Sequence, residues 1–305
     1  MKFFILTFLI TLQLFASLTT YNIIPSSFKS SHFMHVNILD AKSLHVNTFL
    51  GKSVNELSGI TYTKEGVYAV SDKGYLYLFD FSLSHDTIKK FQLIKSYILK
   101  SKEGKRLHKQ ERDSEDVATY YDNLLISFER HQRVVEYSKH GKMIHEVKLN
   151  KHLRRQDDYK SKNKGLESVI YSPKYGIITA PEVPLSSFDK KYHTLYARNQ
   201  HWRFQAHGNI TSLEMKDENT ILVLLRKFSF MGGRLSALVE VKLDECNEKR
   251  ICKSQLLFKM DSRDGWDIDN FEGLCKVGKN RYLMISDDNG SFFQKTLLVL
   301  FEITN

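Results

Sequence analysis

At 305 residues and 42% hydrophobic composition, the chain can bury a core as one large domain or two small ones. Four prolines and fifteen glycines exclude collagen-like and low-complexity classes. A net charge of +10 favours an anionic partner, whether nucleic acid, a lipid surface or a phosphorylated small molecule, and an anionic small-molecule substrate is the one expected, although dispersed lysines also read as a solvated surface. The basic stretches Lys100 to Arg112 and Lys148 to Lys164 lack the interleaved aromatics of a nucleic-acid groove, so no nucleic-acid partner is expected.

Residues 1–20 open with Lys2 and run through an apolar stretch, Phe3 to Leu18. They read as a secretory signal peptide or, since Ala16 to Thr20 lacks a clean small-x-small pattern, an uncleaved N-terminal anchor. No later stretch approaches the roughly 18 apolar residues of a spanning helix, so a membrane is expected only through that segment. Residues 21–34 form a polar linker. Residues 35–305 form a single domain, exported and monomeric.

From there the chain repeats one hairpin. After a strand at His35 to Val46, the first copy runs from Glu56 to Asp72 and turns at Lys64-Glu65-Gly66. The second spans Ser114 to Arg130, the third Gly165 to Glu182, the fourth Gly208 to Arg226 and the fifth Asp269 to Asp288. Each is followed by further strand-like runs. From Ser58 the copies recur at Glu115, Glu167, Thr211 and Glu272, at spacings of 57, 52, 44 and 61 residues. A loose period near fifty, four strands per unit and no long helical period predict an all-β fold, a β-propeller. Five blades are counted, and a sixth fits only within the longer first or fourth unit. The last unit lacks a strand, which His35 to Val46 supplies, closing the ring and leaving no open edge.

Residues equidistant from a hairpin turn face one another. Glu115 and Glu129 are symmetric about residue 122, Ser58 and Asp72 about 65, and Glu272 and Ser286 about 279, with Asp287 and Asp288 next along. Glu167 meets Glu182, and Thr211 and Arg226 take the fourth unit's places. All these pairs lie at the hairpin end away from the turn, hence on one mouth of the channel. Asp72, Glu115, Glu167, Glu182, Glu272, Asp287 and Asp288 are therefore candidate metal ligands. Carboxylates on converging blades suit a hard cation such as Ca²⁺. Glu115, Glu129, Arg130 and Arg226 are the candidate catalytic residues, with the two arginines orienting an anion. The bland alternative is a structural rim in which the acids accept backbone hydrogen bonds or pair with the arginines.

Cys246 and Cys252 flank a loop between two strands and are left open between a disulfide and free thiols. Cys275 sits in an apolar pattern and reads as buried.

Several of these stretches resemble the phytase-like domain family, the "esterase-like activity of phytase" family. They are Glu56-Leu-Ser-Gly-Ile60, Tyr68-Ala-Val-Ser-Asp72, Gly165-Leu-Glu167, Asp269-Asn-Phe-Glu-Gly-Leu274, Leu283-Met-Ile-Ser-Asp-Asp-Asn289 and Gln294-Lys-Thr-Leu-Leu298. The resemblance implies a bacterial protein, periplasmic or secreted, that hydrolyses a phosphate ester or related ester. No catalytic residue carries over from it. A distant similarity to calcium-dependent propeller phytases implies metal assistance, though those have six blades. The expected function is an exported phytase-like hydrolase working at the channel mouth. The alternative is a non-catalytic propeller that binds a ligand or partner protein there.

Overall fold

A computed structural model describes residues 17–304 apart from 46–47, 50–51, 162–163, 230–232 and 292. Most of the expected N-terminal leader, residues 1–16, lies outside the described residues. Five antiparallel sheets surround a central axis, and no α-helix occurs among the described residues. None of their helical segments is long and apolar enough to cross a membrane.

The first blade comprises Leu57–Thr63, Gly66–Ser71, Tyr75–Ser84 and Thr87–Ile98. The second comprises Ser114–Tyr120, Asn123–Phe128, Arg133–Tyr137 and Met143–Glu146. The third holds Leu166–Ser172, Gly176–Pro181, His193–Ala197 and His201–Phe204, and the fourth Asn209–Met215, Thr220–Ser229, Gly233–Cys246 and Cys252–Asp261. In the fifth, Asn270–Lys276, Arg281–Asp287 and Thr296–Ile303 are completed by the N-terminal strand Val36–His45. That strand runs antiparallel to Thr296–Ile303 and closes the ring as expected. Among the described residues the count is five, and the longer units hold no sixth sheet of this kind.

The first strand of each blade packs against its counterparts on both sides, making an inner wall around the channel. Outside that wall, one buried apolar cluster fills each interface between adjacent blades. Phe258, Phe271, Tyr282 and Phe301 pack between the fourth and fifth blades, while Trp202, Phe204 and Leu225 pack between the third and fourth. Such side chains suit a pleated surface buried on both faces. Close approach of the inner strands requires glycine. A Cβ on Gly59 would lie 2.4 Å from the Asp116 Cα in the second blade. Neither backbone can retreat without parting two blades, so Gly59→Ala lowers stability by about 3 kcal/mol, measured as a shift of the urea midpoint.

Residues 21–34 are not a loose linker. Ile23 is buried in the core, and Phe28 and Phe33 pack on Trp266. The Tyr21 hydroxyl donates to Asp267. Ahead of them, Ser17–Thr20 pairs with Val36–His45 and covers the outer edge of the fifth blade. A polar composition concealed these few apolar anchors. Cys246 and Cys252 form a disulfide across the outer hairpin of the fourth blade, and Cys275 is a buried free thiol.

Candidate functional site

The rim of the channel is built by a defect repeated five times. In every inner hairpin the ladder slips near the start of the first strand: between Leu57 and Ile60, Ser114 and Val117, Leu166 and Ser168, Ile210 and Ser212, and Phe271 and Gly273. The residues left over include Ser58, Glu115, Glu167, Thr211 and Glu272. A β-bulge leaves its extra residue unpaired and re-aims the side chain, here at equivalent places in all five blades. On the second strands, Asp72, Glu129, Glu182, Arg226 and Asp287 stand at or one residue past the last registered pair. The bulges also correct the pairing arithmetic. Ser114, not Glu115, is in register with Phe128, so Glu115 and Glu129 meet across a slip rather than face to face.

These side chains gather unevenly. Asp113, Glu115 and Glu129 place one oxygen each within 4.8 Å of one another, and Glu129, Glu167 and Glu182 do the same. Glu129 belongs to both groups. Among the described residues no side-chain hydrogen bond or ion pair restrains the carboxylate of Glu115, or that of Glu167, which is only 5% exposed. Around the rest of the rim, Ser58 donates to Asp72, and Asp287 accepts from the Asn289 N–H at 2.8 Å.

Burial, with mutual repulsion, sets the acidity. Glu115 and Glu167 are pushed well above the usual carboxylate range by burial and then by their acidic neighbours. Glu129 is pushed up to about 8 by burial and by Asp113 and Glu182. Asp72 rises to about 7, and Asp287 to about 9, each through burial and the charge of Glu272.

Cations offset part of this. Arg226 pairs with Glu272 and lies 3.6 Å from Glu182. Burial works against its charge, yet Glu272, Glu167 and Glu182 hold the proton on and raise its pKa. Lys164 pairs with Glu182, and Arg130 reaches Asp113 at 2.8 Å. Arg226 is thus engaged in neutralising the rim, and Arg130 stands at its edge on Asp113. Asp288 does not join the cluster. Its carboxylate accepts from the backbone of Glu56 at 3.1 Å and Gly290 at 2.9 Å and from the Thr296 hydroxyl at 3.1 Å, tying the fifth blade to the first.

Three residues escaped the sequence reading. Asp113 lies two positions before the bulge, where Glu56, Gly165, Asn209 and Asn270 are its equivalents; extending the repeat upstream would have found it. Lys164 lies in a loop with no periodic signal. Asp116 is buried in the inner wall, accepting from Val169 N–H at 3.2 Å and the Ser212 hydroxyl at 3.1 Å, and so ties together the second, third and fourth blades.

Beside the acidic mouth, a cleft of about 480 Å³ runs between the fourth and fifth blades. Lys164, Arg226, Lys227 and Arg234 line it against only two acids, Glu182 and Asp269, with Phe228 on its wall. Glu182 and Arg226 belong to both rim and cleft, so the carboxylate cluster opens directly onto a cationic recess.

Comparison with solved structures places the chain beside proteins of very different activities. Glutaminyl cyclase of Myxococcus xanthus aligns at 11% identity and a TM-score of 0.48, over 88% of this chain and 97% of that one. The PQQ-bound aldose sugar dehydrogenase of Streptomyces coelicolor aligns at 8% and 0.45, over 87% and 98%. At these values the likeness carries no functional argument. A search of curated proteins finds no match. A family model does match, the phytase-like model described as "esterase-like activity of phytase", over residues 52–290, which takes in all five inner hairpins and the whole rim. The chain belongs to the phytase-like family.

Proposed function

We propose that this propeller is a metal-assisted hydrolase of a phosphate ester or related ester, acting at the acidic mouth of its channel. The observation that supports the reading most is the pair of carboxylate groups sharing Glu129 and opening onto a cationic cleft.

The donor set fits a hard divalent cation, calcium first. All the groups are carboxylate oxygens, and among the described residues Glu115 and Glu167 make no side-chain hydrogen bond or ion pair. Asp113, Glu115 and Glu129 would hold one ion, and Glu167 and Glu182 could extend the site across the shared Glu129. A bound ion would polarise the ester oxygen and acidify a water.

The chain's own residues supply the rest. Lys164, Lys227 and Arg234 offer the substrate's anion a cationic recess. Arg226 offsets the charge of Glu182 and Glu272, so that the rim does not repel that anion. Asp72, outside both carboxylate groups and pushed up to about 7, has the acidity to exchange a proton near neutral pH. Export is part of the proposal, supported by the basic and apolar start of the sequence and by the Cys246–Cys252 disulfide.

The full-length protein is to be assayed on generic phosphate and carboxyl esters, with calcium and with a chelator. Turnover that requires calcium and falls at least about 100-fold in Glu129→Gln, with the melting temperature kept, is the expected result. Turnover no higher than that of the variant overturns the proposal.

A further inference from the structure

Four features of the molecule meet at one end of the propeller. The second strand of the fourth blade continues past Arg226 to Ser229, with Phe228 opposite Arg234, so its hairpin rises beyond the rim. Phe228 is 67% exposed there. Across the cleft, the loop that follows Asp287 carries Phe293, 87% exposed, and Gln294, which lines the same cleft. These are two of the three most exposed large hydrophobic side chains among the described residues; the third, Tyr121, lies at a hairpin turn on the opposite end of the channel.

Cations flank the two phenylalanines: Lys227 precedes Phe228 and Arg234 pairs with it across the hairpin, while Lys295 follows Phe293 by two residues; Lys227 and Lys295 are exposed, and Arg234 is partly so. The fourth observation is topological. Ser17 pairs with His45, and the adjacent Leu44 pairs with Thr296, the first residue of the strand that leaves the rim. The chain leading back to the apolar residues of the first sixteen therefore departs from this same end. Lys295 donates to the Tyr21 hydroxyl at 2.7 Å and holds the start of that segment beside the mouth.

We propose that the mouth end of the propeller is a membrane-facing surface that docks on an anionic bilayer, with Phe228 and Phe293 entering the headgroup region and Lys227, Arg234 and Lys295 against lipid phosphates. Exposed aromatic side chains ringed by cations are the chemistry an anionic interface selects, and the two signals together bind where either alone is marginal. The net charge of +10 adds long-range attraction. The rim carboxylates are recessed behind this ring and partly neutralised by Arg226 and Lys164, so they oppose the approach only weakly. The surface stands whether or not the mouth is catalytic. Its consequence is that a substrate would reach the channel from the bilayer side.

The test is vesicle co-sedimentation of the full chain, in a chelator so that calcium does not bridge protein to lipid. Vesicles of phosphatidylcholine alone are compared with vesicles containing phosphatidylglycerol. The expected result is binding that needs the anionic lipid, weakens with salt, and drops at least about tenfold in Phe228→Ser/Phe293→Ser. Lys227→Glu, which leaves both aromatics in place, should also weaken it. Tyr121→Ser, at the far end of the channel, should leave it unchanged. Every variant carries the same N-terminal segment, so equal binding by the double variant would assign attachment to residues 1–16 and overturn the proposal. An equal loss in Tyr121→Ser, or no binding to anionic vesicles, would overturn it as well.

Discussion

In a chelator, the melting temperature is expected to fall by about 5 °C or more as the pH rises from 6 to 9, and saturating calcium should remove most of that slope. The sign follows from the direction of the shifts. Asp72, Glu129 and Asp287 have folded-state pKa values of about 7, 8 and 9, all above those of unfolded carboxyls. Between the unfolded and folded values the native state binds more protons, so its stability is full below about pH 4 and is lost as the pH rises through the 7–9 window. Calcium acts in the opposite sense, because a bound divalent ion replaces the protons that keep the carboxylates from repelling one another. Its binding should release protons, which calorimetry in buffers of different ionisation enthalpy would count. A flat melting profile without calcium, or a slope that calcium leaves intact, would mean that the carboxylates are neutralised within the protein.

Arg226→Met should be the most damaging single change at the rim, costing about 3–5 kcal/mol at pH 8. The guanidinium is the counter-charge for Glu272 and Glu182 and acts on Glu167 and Glu115 as well. Methionine keeps the volume and removes the charge, so buried carboxylates lose a partner while their desolvation remains. Burial holds Glu115, Glu167 and Glu272 above the usual carboxylate range, so lowering the pH protonates them early and relieves the defect, and the loss should shrink to less than half at pH 5. Urea unfolding at both pH values measures the difference. A loss independent of pH would assign Arg226 to packing alone.

The hairpins were legible because the turns are marked and the flanking strands are rich in β-branched and aromatic residues; Ser114–Tyr120 and Asn123–Phe128 lie within the span expected of the second copy, Ser114 to Arg130. Ring closure was legible because the last unit is one strand short and Val36–His45 had no other sheet to join. The detail of the rim was not. A bulge adds one residue without changing composition, so equal counting from the turn misplaces Glu115 relative to Glu129. Arg226 looked available to an anion because nothing in sequence says that Glu272, 46 residues later, would claim it. Asp288 follows Asp287 in the chain, but the strand ends at Asp287, and the Asp288 carboxylate is held by Glu56, Gly290 and Thr296 instead of joining the rim.

The closing strand also governs when the protein can fold. Val36–His45 is synthesised well before its partner Thr296–Ile303, so residues 46–295 must all emerge before the two meet. Contacts this remote in sequence form late and slowly. Until then the apolar faces of Ile38, Ala41 and Leu44 lack their native cover. The ring cannot lock before both strands are present, so the nascent protein passes through an open stage that is vulnerable to aggregation if release stalls.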